Sequence, residues 1–249
     1  MFDLVISIVV YNSEINKLRK IVETVNLEKT LKIKLIIIDN LSNQNYFNEL
    51  LSLNCTVISA GKNYGYAKSN NIVFNISPKS KYFLILNPDV LFEKDALIKL
   101  YNFMEQKKDV LLCSPILKNN QYYYEINRKN FTFVNMFYRF LTQKKDFLLA
   151  NDINNLFKTS NLTYVSRISG SFMLIRSETF KKINGFNETF FMYFEDIDLC
   201  DKINKIGKIA MTNITSVFHE RQRHSYKKPK FFFIHFISFL KYKLLNIKI

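Results

Sequence analysis

Three carboxylates stand close together in the C-terminal third of the chain, at Glu195, Asp196 and Asp198. They follow an aromatic run, Phe190–Phe194, in a chain whose formal net charge is +15. A carboxylate beside bulky aromatic side chains loses part of its hydration, which raises its pKa towards neutrality. Such a group suits a general base or a metal ligand. The alternative is the acidic first turn of a helix, which the helix dipole stabilises.

Two further carboxylates, Asp39 and Asp89, each follow an apolar, strand-like run closely. Tyr11 and Asn12 follow a third such run. Ligands of parallel α/β sheets lie beyond the carboxyl ends of the strands. We therefore expect these residues to share one rim of a sheet, where Asp39 and Asp89 could bind a nucleotide and its metal ion.

The apolar pattern of the chain predicts the strands and helices that would hold these carboxylates. The strand-like segments are residues 4–10, 34–38, 56–59, 82–86, 110–115 and 165–176, with a final pair at 208–211 and 216–218. Helical periods cover residues 14–26, 67–76, 95–105, 177–183 and 197–206. Continuous apolar strands between helices are typical of a parallel sheet covered on both faces, so we predict an α/β fold. Ser177 is the expected N-cap of the fourth helix.

One stretch, residues 117–165, interrupts the alternation of strands and helices. It is polar and aromatic with poor periodicity, and we interpret it as an irregular excursion over the sheet rather than a second domain. The prediction is therefore one domain over residues 1–226, followed by a distinct C-terminal segment, residues 227–249.

The composition indicates a folded chain in a reducing compartment. Apolar residues make up 48% of the 249 residues, which is ample for a core. Cys55, Cys113 and Cys200 are widely separated and lack metal-ligand spacing, so we expect free thiols. We expect no signal peptide, because the first residues run straight into a strand-like segment. No apolar run approaches the ~20 residues that span a bilayer.

In this order, the motifs resemble those of the family 2 glycosyltransferases, which have the GT-A fold. The likeness is nearest to the rhamnosyltransferase-like group that acts in bacterial surface polysaccharide assembly. It covers residues 3–225, and the matching stretches are Val5–Asn12, Ile38–Ser42, Asn63–Ala67 with Asn70 and Asn71, Leu86–Asp89, Gly170–Arg176, Gly185–Glu188 with Phe190 and Phe191, Glu195–Asp198, and His219 with Ser225.

The resemblance implies an inverting transferase that depends on Mg²⁺ or Mn²⁺ and moves a sugar from a nucleotide-sugar donor to a glycan acceptor. The residues that it assigns to the nucleotide-sugar are Tyr11, Asn12, Asp39, Asn63, Gly65, Asn71 and Asn87. It assigns Gly170, Ser171 and Asp198 to the acceptor, and Asp89 to the metal ion, with His219 as a further ligand. A structural histidine at a strand end is the alternative for His219.

The resemblance makes Asp196 the catalytic base, with Glu195 as the second choice. In an inverting transfer a carboxylate takes the proton of the acceptor hydroxyl, which contributes about 10²–10⁴ in rate. Adjacent residues do not share one face of a helix or strand, so at most one of the two faces the acceptor unless the backbone turns there. We expect the preceding aromatic side chains to form the wall of the acceptor site.

Some positions depart from the family pattern and leave the donor sugar open. Lys202 stands where the family usually has arginine, and Lys68 stands where it often has a small residue. Lys68 could meet a donor phosphate or lie on a solvated helix face. The subgroup likeness suggests dTDP-rhamnose as donor, and a UDP-hexose is the alternative.

The C-terminal segment is basic and aromatic. No acidic residue occurs from Arg221 to Ile249, and Phe231–Leu240 is rich in phenylalanine. This segment suits an interfacial helix on an anionic membrane surface, which would place the protein at the inner face of the cell membrane near a polyprenyl-linked acceptor. The alternative is a helix packed on the domain. We do not expect nucleic-acid binding, since no recognised module is visible.

Two rival functions remain. A sugar-phosphate nucleotidyltransferase would need a glycine-rich, basic loop after the first strand, and Tyr11–Glu14 is not one. An inactive membrane-bound scaffold is disfavoured by the presence of both Asp89 and Asp196.

Overall fold

A mixed β-sheet forms the centre of the molecule in the computed structural model, which describes residues 1–119, 122–124, 147–148, 157, 159–219 and 229–247. The strands are β1 (Phe2–Val10), β2 (Ile33–Asp39), β3 (Thr56–Ser59), β4 (Ser80–Leu86), β5 (Val90–Phe92), β6 (Val110–Asn119), β7 (Tyr122–Tyr124), β8 (Phe147–Leu148), β9 (Leu162–Tyr164), β10 (Phe172–Arg176) and β11 (Lys208–His219). The helices are α1 (Ile15–Leu27), α2 (Gln44–Leu51), α3 (Gly65–Ile76), α4 (Ala96–Gln106), α5 (Ser177–Lys182), α6 (Glu195–Asn204) and α7 (Pro229–Ile247).

The strand order explains why the strand-end residues meet. The order is β3-β2-β1-β4-β10-β6-β11-β5, and the first four strands are parallel. In this register Val10 lies beside Asp39, and Ile8 lies beside Leu86. The carboxyl ends of β1, β2 and β4 therefore share one edge, as predicted. β10 enters antiparallel between β4 and β6, so its first residues lie at that same edge.

Both faces of the sheet are buried, which confirms the predicted α/β architecture. Alternate side chains of β1 point to opposite faces, so Ile6 and Ile8 pack with α1, α2 and α4 while Val5 and Val9 pack with α3, α5 and α6. Full burial of such a side chain contributes about 1.5–3 kcal/mol. The sheet is thus a rigid platform for the residues at its edge.

Several element predictions need correction. The strand-like pattern at 165–176 becomes a strand only from Phe172 onward. Ser177 is not an N-cap, because α5 begins at Ser177 itself and the hydroxyl of Ser177 lies 3.0 Å from that of Ser80. The predicted pair 208–211 and 216–218 is one strand, β11, with a register shift between Thr212 and Ser216.

The helix that carries the acidic residues begins two residues earlier than predicted, at Glu195. Within the predicted excursion, residues 117–165, the structure describes the end of β6 and the short strands β7, β8 and β9, which add to the same sheet. Most of the remainder, residues 120–121, 125–146, 149–156 and 158, lies outside the described residues. So do the predicted boundary at 226 and 227, Ser225, and the basic residues of 220–228.

The C-terminal helix α7 packs against the residues that precede α6. Its Phe239 and Tyr242 are buried with Phe190, Phe194 and Ile197 in a separate apolar cluster, here called the tail cluster. The hydroxyl of Ser238 donates a hydrogen bond to the Met192 carbonyl at 2.8 Å. Over the described residues, no helix combines the length and apolar character needed to cross a membrane.

Candidate functional site

The ends of β1 and β2 are tied into one loop cluster. The Asp39 carboxylate is buried and accepts hydrogen bonds from the Ser42 N–H at 3.2 and 3.1 Å. Asn12 has a positive φ of 48°, and its Oδ1 accepts from the backbone and side-chain nitrogens of Asn43 at 3.2 and 2.9 Å. Tyr11 is exposed beside it. The structure therefore brings the three predicted nucleotide residues together at the rim.

A buried asparagine that the sequence analysis did not assign, Asn40, joins this rim to the start of α3. Its Nδ2 donates to the Gly65 carbonyl at 3.2 Å, and its Oδ1 accepts from the Tyr64 N–H at 3.0 Å. Asn63 accepts from the Gly65 N–H at 3.0 Å. The only signal for Asn40 was its position directly after Asp39. These hydrogen bonds fix Asn63 and Gly65, which were predicted to bind the nucleotide-sugar, at the N-terminus of a helix. A helix N-terminus favours the binding of anions.

Gly65 has a structural reason to be glycine. Its φ is +80°, and a Cβ at this position would lie 2.1 Å from the Phe191 carbonyl oxygen. The Tyr66 N–H donates to that same carbonyl at 2.8 Å. The start of α3 is thus pressed against the segment that leads into the acidic residues.

Asn71, a predicted donor residue, supports a turn instead of facing open space. Its Oδ1 accepts from the Phe186 N–H, and its Nδ2 donates to the Phe186 carbonyl, both at 2.9 Å. Lys202, which replaces the usual arginine, donates to the adjacent Gly185 carbonyl at 3.1 Å and lies 3.2 Å from the Asp198 carboxylate. The contacts described for Asn71 and Asp198 therefore tie them to the Gly185–Phe186 turn rather than to the Asp89 element.

Lys68 makes an ion pair on the surface. Its ammonium lies 2.9 Å from the Glu188 carboxylate, and this hydrogen bond raises the pKa of Lys68. Of the two alternatives for Lys68, the structure supports the solvated helix face.

Asp89 and His219 lie side by side because β5 pairs antiparallel with β11. His219 is the register partner of Val90, the residue after Asp89. Its Nε2 lies 3.4 Å from Asp89 Oδ1, and both side chains are largely buried. The sequence analysis named both residues but not the short strand that joins them.

This pair could supply some, but not all, of the ligands of a cation. A carboxylate oxygen and an imidazole nitrogen are acceptable ligands for Mn²⁺, and the carboxylate for Mg²⁺. Within the described part of the chain, no group of three or more histidine, cysteine or acidic side chains is placed to hold a metal ion. The remaining ligands would have to come from diphosphate oxygens and water.

The acidic residues occupy the first turn of α6, which confirms the helix interpretation of their sequence. Tyr193 and Phe194, which precede the helix, have positive φ values of 69° and 68°. A left-handed backbone is a genuine outlier for aromatic residues. The chain therefore turns sharply here, and Glu195 and Asp196 take different surroundings.

The two predicted base candidates differ in their hydrogen bonds. Asp196 accepts from the Gly170 N–H at Oδ2, 3.0 Å away, and from the Ile197 N–H at Oδ1, 2.9 Å away. Glu195 is only 6% exposed, and its Oε2 has no hydrogen-bond partner among the described residues. Burial, with the charge of Asp196 as a smaller cause, raises the pKa of Glu195 well above its usual value. Asp196 is thus the better-prepared proton acceptor.

Gly170 and Ser171 connect the acidic turn to the Asp89 element. While Gly170 donates to Asp196, the Ser171 carbonyl accepts from the Asn87 N–H at 2.9 Å. The two residues come just before β10, which pairs with β4 from Phe172 and Leu86 onward. The predicted residues Asn87, Asp89, Gly170, Ser171, Asp196 and His219 therefore form one connected set.

Tyr66 is a further member that the sequence analysis did not assign. Its hydroxyl donates to the Gly170 carbonyl at 2.8 Å. Burial, and then the charges of Glu195 and Asp196, raise the pKa of Tyr66 well above its usual value. Its position inside the motif at residues 63–67 was the only signal in the sequence.

The prediction that the preceding aromatics wall the acceptor is wrong for Phe190 and Phe194. Both are buried in the tail cluster against α7, where the rings of Phe194 and Phe239 lie 5.8 Å apart. Phe191 is 41% exposed. The space that an acceptor wall would need is filled, on this side, by the chain's own C-terminal helix.

Comparisons with known proteins identify the family to which the sequence is similar. Residues 5–184 match the model of the glycosyl transferase family 2, and residues 157–227 match a model described as the N-terminal domain of galactosyltransferase. Rhamnosyltransferase WbbL of Escherichia coli (strain K12) is 29% identical over 157 residues, which cover 59% of this chain and 57% of the relative. The N-acetylglucosaminyl-diphospho-decaprenol L-rhamnosyltransferase of Mycobacterium tuberculosis (strain CDC 1551 / Oshkosh) is 35% identical over 66 residues, 26% of this chain and 22% of the relative.

A solved structure supports the fold. GalNAc-T7, crystallised with UDP, GalNAc and Mn²⁺, superposes with a TM-score of 0.65 at 13% identity, over 88% of this chain and 43% of its own. The matched region spans 57% of the length of the E. coli relative and 22% of that of the M. tuberculosis relative.

Proposed function

Because the chain belongs to glycosyl transferase family 2, we propose that it is an inverting, cation-dependent glycosyltransferase with a nucleotide-sugar donor and a glycan acceptor. The acceptor is proposed to be carried on a polyprenyl lipid, as the name of the M. tuberculosis relative supports. The donor sugar is proposed to be rhamnose, in line with the names of the E. coli and M. tuberculosis relatives. A hexose is the alternative, in line with the name of a further relative, the low-salt glycan biosynthesis hexosyltransferase Agl10 of Haloferax volcanii.

The observation that carries this proposal is the double contact of Gly170 and Ser171. One residue holds the carboxylate of Asp196 and the next holds the backbone of the Asp89 element, at 3.0 and 2.9 Å. The proposed proton acceptor, Asp196, and the element of the proposed diphosphate-binding carboxylate, Asp89, are thus joined through two consecutive residues. An in-line displacement needs its base and its leaving-group site held in a fixed relation, which such a connection supports.

Asp196 would act as the base. The acceptor oxygen forms its bond to the anomeric carbon while the bond from that carbon to the diphosphate oxygen breaks, and Asp196 takes the hydroxyl proton. The two backbone N–H groups leave further lone pairs on its oxygens, so the carboxylate can accept a proton while it stays oriented. Glu195 suits this role less, because its raised pKa favours the neutral acid.

Asp89 and His219 would hold the cation together with the donor diphosphate. The cation, when bound, supplies charge stabilisation to the departing nucleoside diphosphate. The N-terminus of α3, with Asn63 and Gly65, lies at the same edge and would favour phosphate oxygens. Asp39, Asn12 and Tyr11 would bind the nucleoside beyond it.

We also propose that α7 places the enzyme on an anionic membrane surface at the cytoplasmic face. One side of α7 is docked on the domain, but Phe233, Ile237, Leu240 and Leu244 are 61%, 50%, 44% and 65% exposed. Their spacing of four, three and four residues puts them on one helical face. These four residues are here called the apolar stripe. Lysines on the same helix, such as Lys241 and Lys243, suit anionic headgroups.

A donor screen tests the reaction. Purified protein is incubated with dTDP-rhamnose or UDP-hexoses, with Mg²⁺ or Mn²⁺, and with a polyprenyl-diphosphate glycan as acceptor, and the released nucleoside diphosphate is measured. We expect turnover of dTDP-rhamnose that stops when EDTA removes the cation. Asp89→Asn should weaken cation-dependent donor binding at least tenfold, since it removes the charged ligand.

The alternative outcomes are distinct. Turnover of a UDP-hexose instead would replace rhamnose as the sugar and leave the transfer reaction in place. Absence of turnover with every donor, or full activity in EDTA, would contradict the proposed cation-dependent transfer.

A further inference from the structure

The two peptide units that meet at the Cα of Gly170 are each held by a side chain. The Gly170 carbonyl, in the unit that leads to Ser171, accepts the hydrogen bond of the Tyr66 hydroxyl at 2.8 Å. The Gly170 N–H, in the unit that comes from Ser169, donates to Asp196 Oδ2 at 3.0 Å. Gly170 has no side chain that could restrict its φ and ψ, and a Cβ there would already lie 3.2 Å from the Asp196 Cβ. The backbone conformation at Gly170 therefore depends on contacts such as these two hydrogen bonds.

The side chain of Tyr66 is itself well fixed. Its backbone N–H donates to the Phe191 carbonyl at 2.8 Å, and its carbonyl accepts from Asn70 at 3.0 Å. Its ring packs edge-on against Phe186, with centroids 6.2 Å apart. The hydroxyl that contacts Gly170 thus belongs to a side chain in the first turn of α3, and this turn is held by its contacts with Phe191 and Phe186.

Burial, together with nearby carboxyl groups, keeps the Tyr66 hydroxyl protonated, so that it can donate a hydrogen bond. The carboxyl groups that act on it are Glu195 and Asp196 from α6 and Asp89 from the loop after β4. All three oppose ionisation of the phenol, as burial does, so its pKa is raised. A neutral phenol donates one hydrogen bond, and the Gly170 carbonyl receives it.

We propose that Tyr66 is a positioning residue for the transfer proposed above. Its hydroxyl holds the Gly170 carbonyl and so restricts the φ and ψ of Gly170, which keeps the Gly170 N–H in place to orient the carboxylate of Asp196 towards the acceptor hydroxyl. The inference rests on that proposed function. Because Tyr66 directly follows Gly65 in the first turn of α3, it would link the proposed donor-binding segment to the base.

The first test removes only the hydroxyl, in Tyr66→Phe, and measures kcat, the KM values for both substrates and donor affinity. We expect kcat to fall about tenfold, the effect of a lost orienting hydrogen bond, with donor affinity unchanged. The matched control is Tyr101→Phe. It removes a hydroxyl on α4 that donates a hydrogen bond to the Asp3 carboxylate at 3.3 Å. A kcat within twofold of wild type, or a loss confined to donor affinity, would overturn the proposal.

The second test needs no turnover, so it separates this inference from the proposed reaction. The chain has five glycines, and a protein labelled with ¹⁵N-glycine gives at most five backbone amide signals. The Gly170 signal is assigned by its loss in Gly170→Ala. We expect it to move in Tyr66→Phe and in Asp196→Asn, while the Gly61 and Gly207 signals stay in place and show that both variants are folded.

If the Gly170 signal keeps its position in a folded Tyr66→Phe protein, the positioning role is wrong, whatever the enzyme transfers. If it moves while the wild type turns over no donor, the contact is supported and the proposed function alone fails.

Discussion

Glu195 and Asp196 are adjacent carboxylates with opposite environments. Asp196 receives two backbone N–H groups, whereas Glu195 is buried with an oxygen that finds no partner among the described residues. Environments that give two neighbouring acids different proton affinities are typical of sites where one carboxyl must be ionised and another neutral. The sharp turn at Tyr193 and Phe194 makes this separation possible within one helical turn.

The separation predicts unequal effects of two nearly isosteric substitutions. Asp196→Asn should lower kcat by at least about 10², because an amide cannot take the proton, and donor affinity should change little. Glu195→Gln should cost much less, since burial raises the pKa of Glu195 and so disfavours its charged form. Steady-state transfer rates and donor titration measure both effects. A greater loss in Glu195→Gln than in Asp196→Asn would exchange their roles.

At the scale of elements, one face of α7 packs on the domain and the opposite face is exposed and apolar. Phe239 and Tyr242 complete the tail cluster beneath the start of α6, and Arg167 donates both to Asp201 and to the Tyr242 hydroxyl, at 3.0 and 2.9 Å. The opposite face carries the exposed apolar stripe. One helix therefore contacts the segment that leads into the acidic first turn of α6 and also exposes apolar side chains on its other face.

Two phenylalanines of α7 should differ in their effect on stability. Phe239→Ala should lower the free energy of unfolding by about 3 kcal/mol, because it opens a cavity in the tail cluster. Phe233→Ala, at a 61% exposed position, should change it by less than about 0.5 kcal/mol. Urea denaturation followed by circular dichroism measures both. Equal effects would mean that α7 does not pack as described.

The elements show which parts of the fold a sequence can predict. Long apolar periods gave α1, α3 and α4 nearly to the residue, because burial on one face fixes their pattern. α2 has only eight residues, half of them polar, and β5 has three, so neither carries a period long enough to detect. Yet β5 is the element that brings Asp89 to His219.

The site was predicted as a set of residues but not as a set of contacts. Asp89, Gly170 and Asp196 were named from motifs, each of which is local in sequence. Tyr66 acts on a carbonyl 104 residues away, and Asn40 acts on one 25 residues away. No local pattern encodes such pairs, so only the folded chain reveals them.

At the scale of the whole molecule, a net charge of +15 and the apolar stripe act in the same direction. Positive charge attracts the protein to anionic lipid over about a Debye length, and apolar side chains then enter the interface. This would hold the active site near an acceptor that does not leave the membrane.

Vesicle binding tests that orientation without removing α7. Ile237→Ser with Leu244→Ser should weaken cosedimentation with vesicles of about one-third anionic lipid severalfold, because both side chains belong to the apolar stripe. The matched control is Leu27→Ser with Leu51→Ser, two leucines that are exposed elsewhere. Neutral vesicles should bind the wild type weakly. Unchanged binding of the stripe variant to anionic vesicles would exclude α7 as the anchor.

The two left-handed residues before α6 have a consequence for how far the chain can be shortened. A left-handed backbone costs about 1–2 kcal/mol per residue, and Tyr193 and Phe194 adopt it consecutively. Phe194 is kept there by burial against Phe239 and Tyr242, in a segment more than thirty residues further along. A protein ending at residue 226 would expose these rings to water and let the turn relax to an ordinary backbone, so Glu195 and Asp196 would lose their separate environments. We therefore expect the nineteen-residue helix α7 to be needed for the arrangement of Glu195 and Asp196.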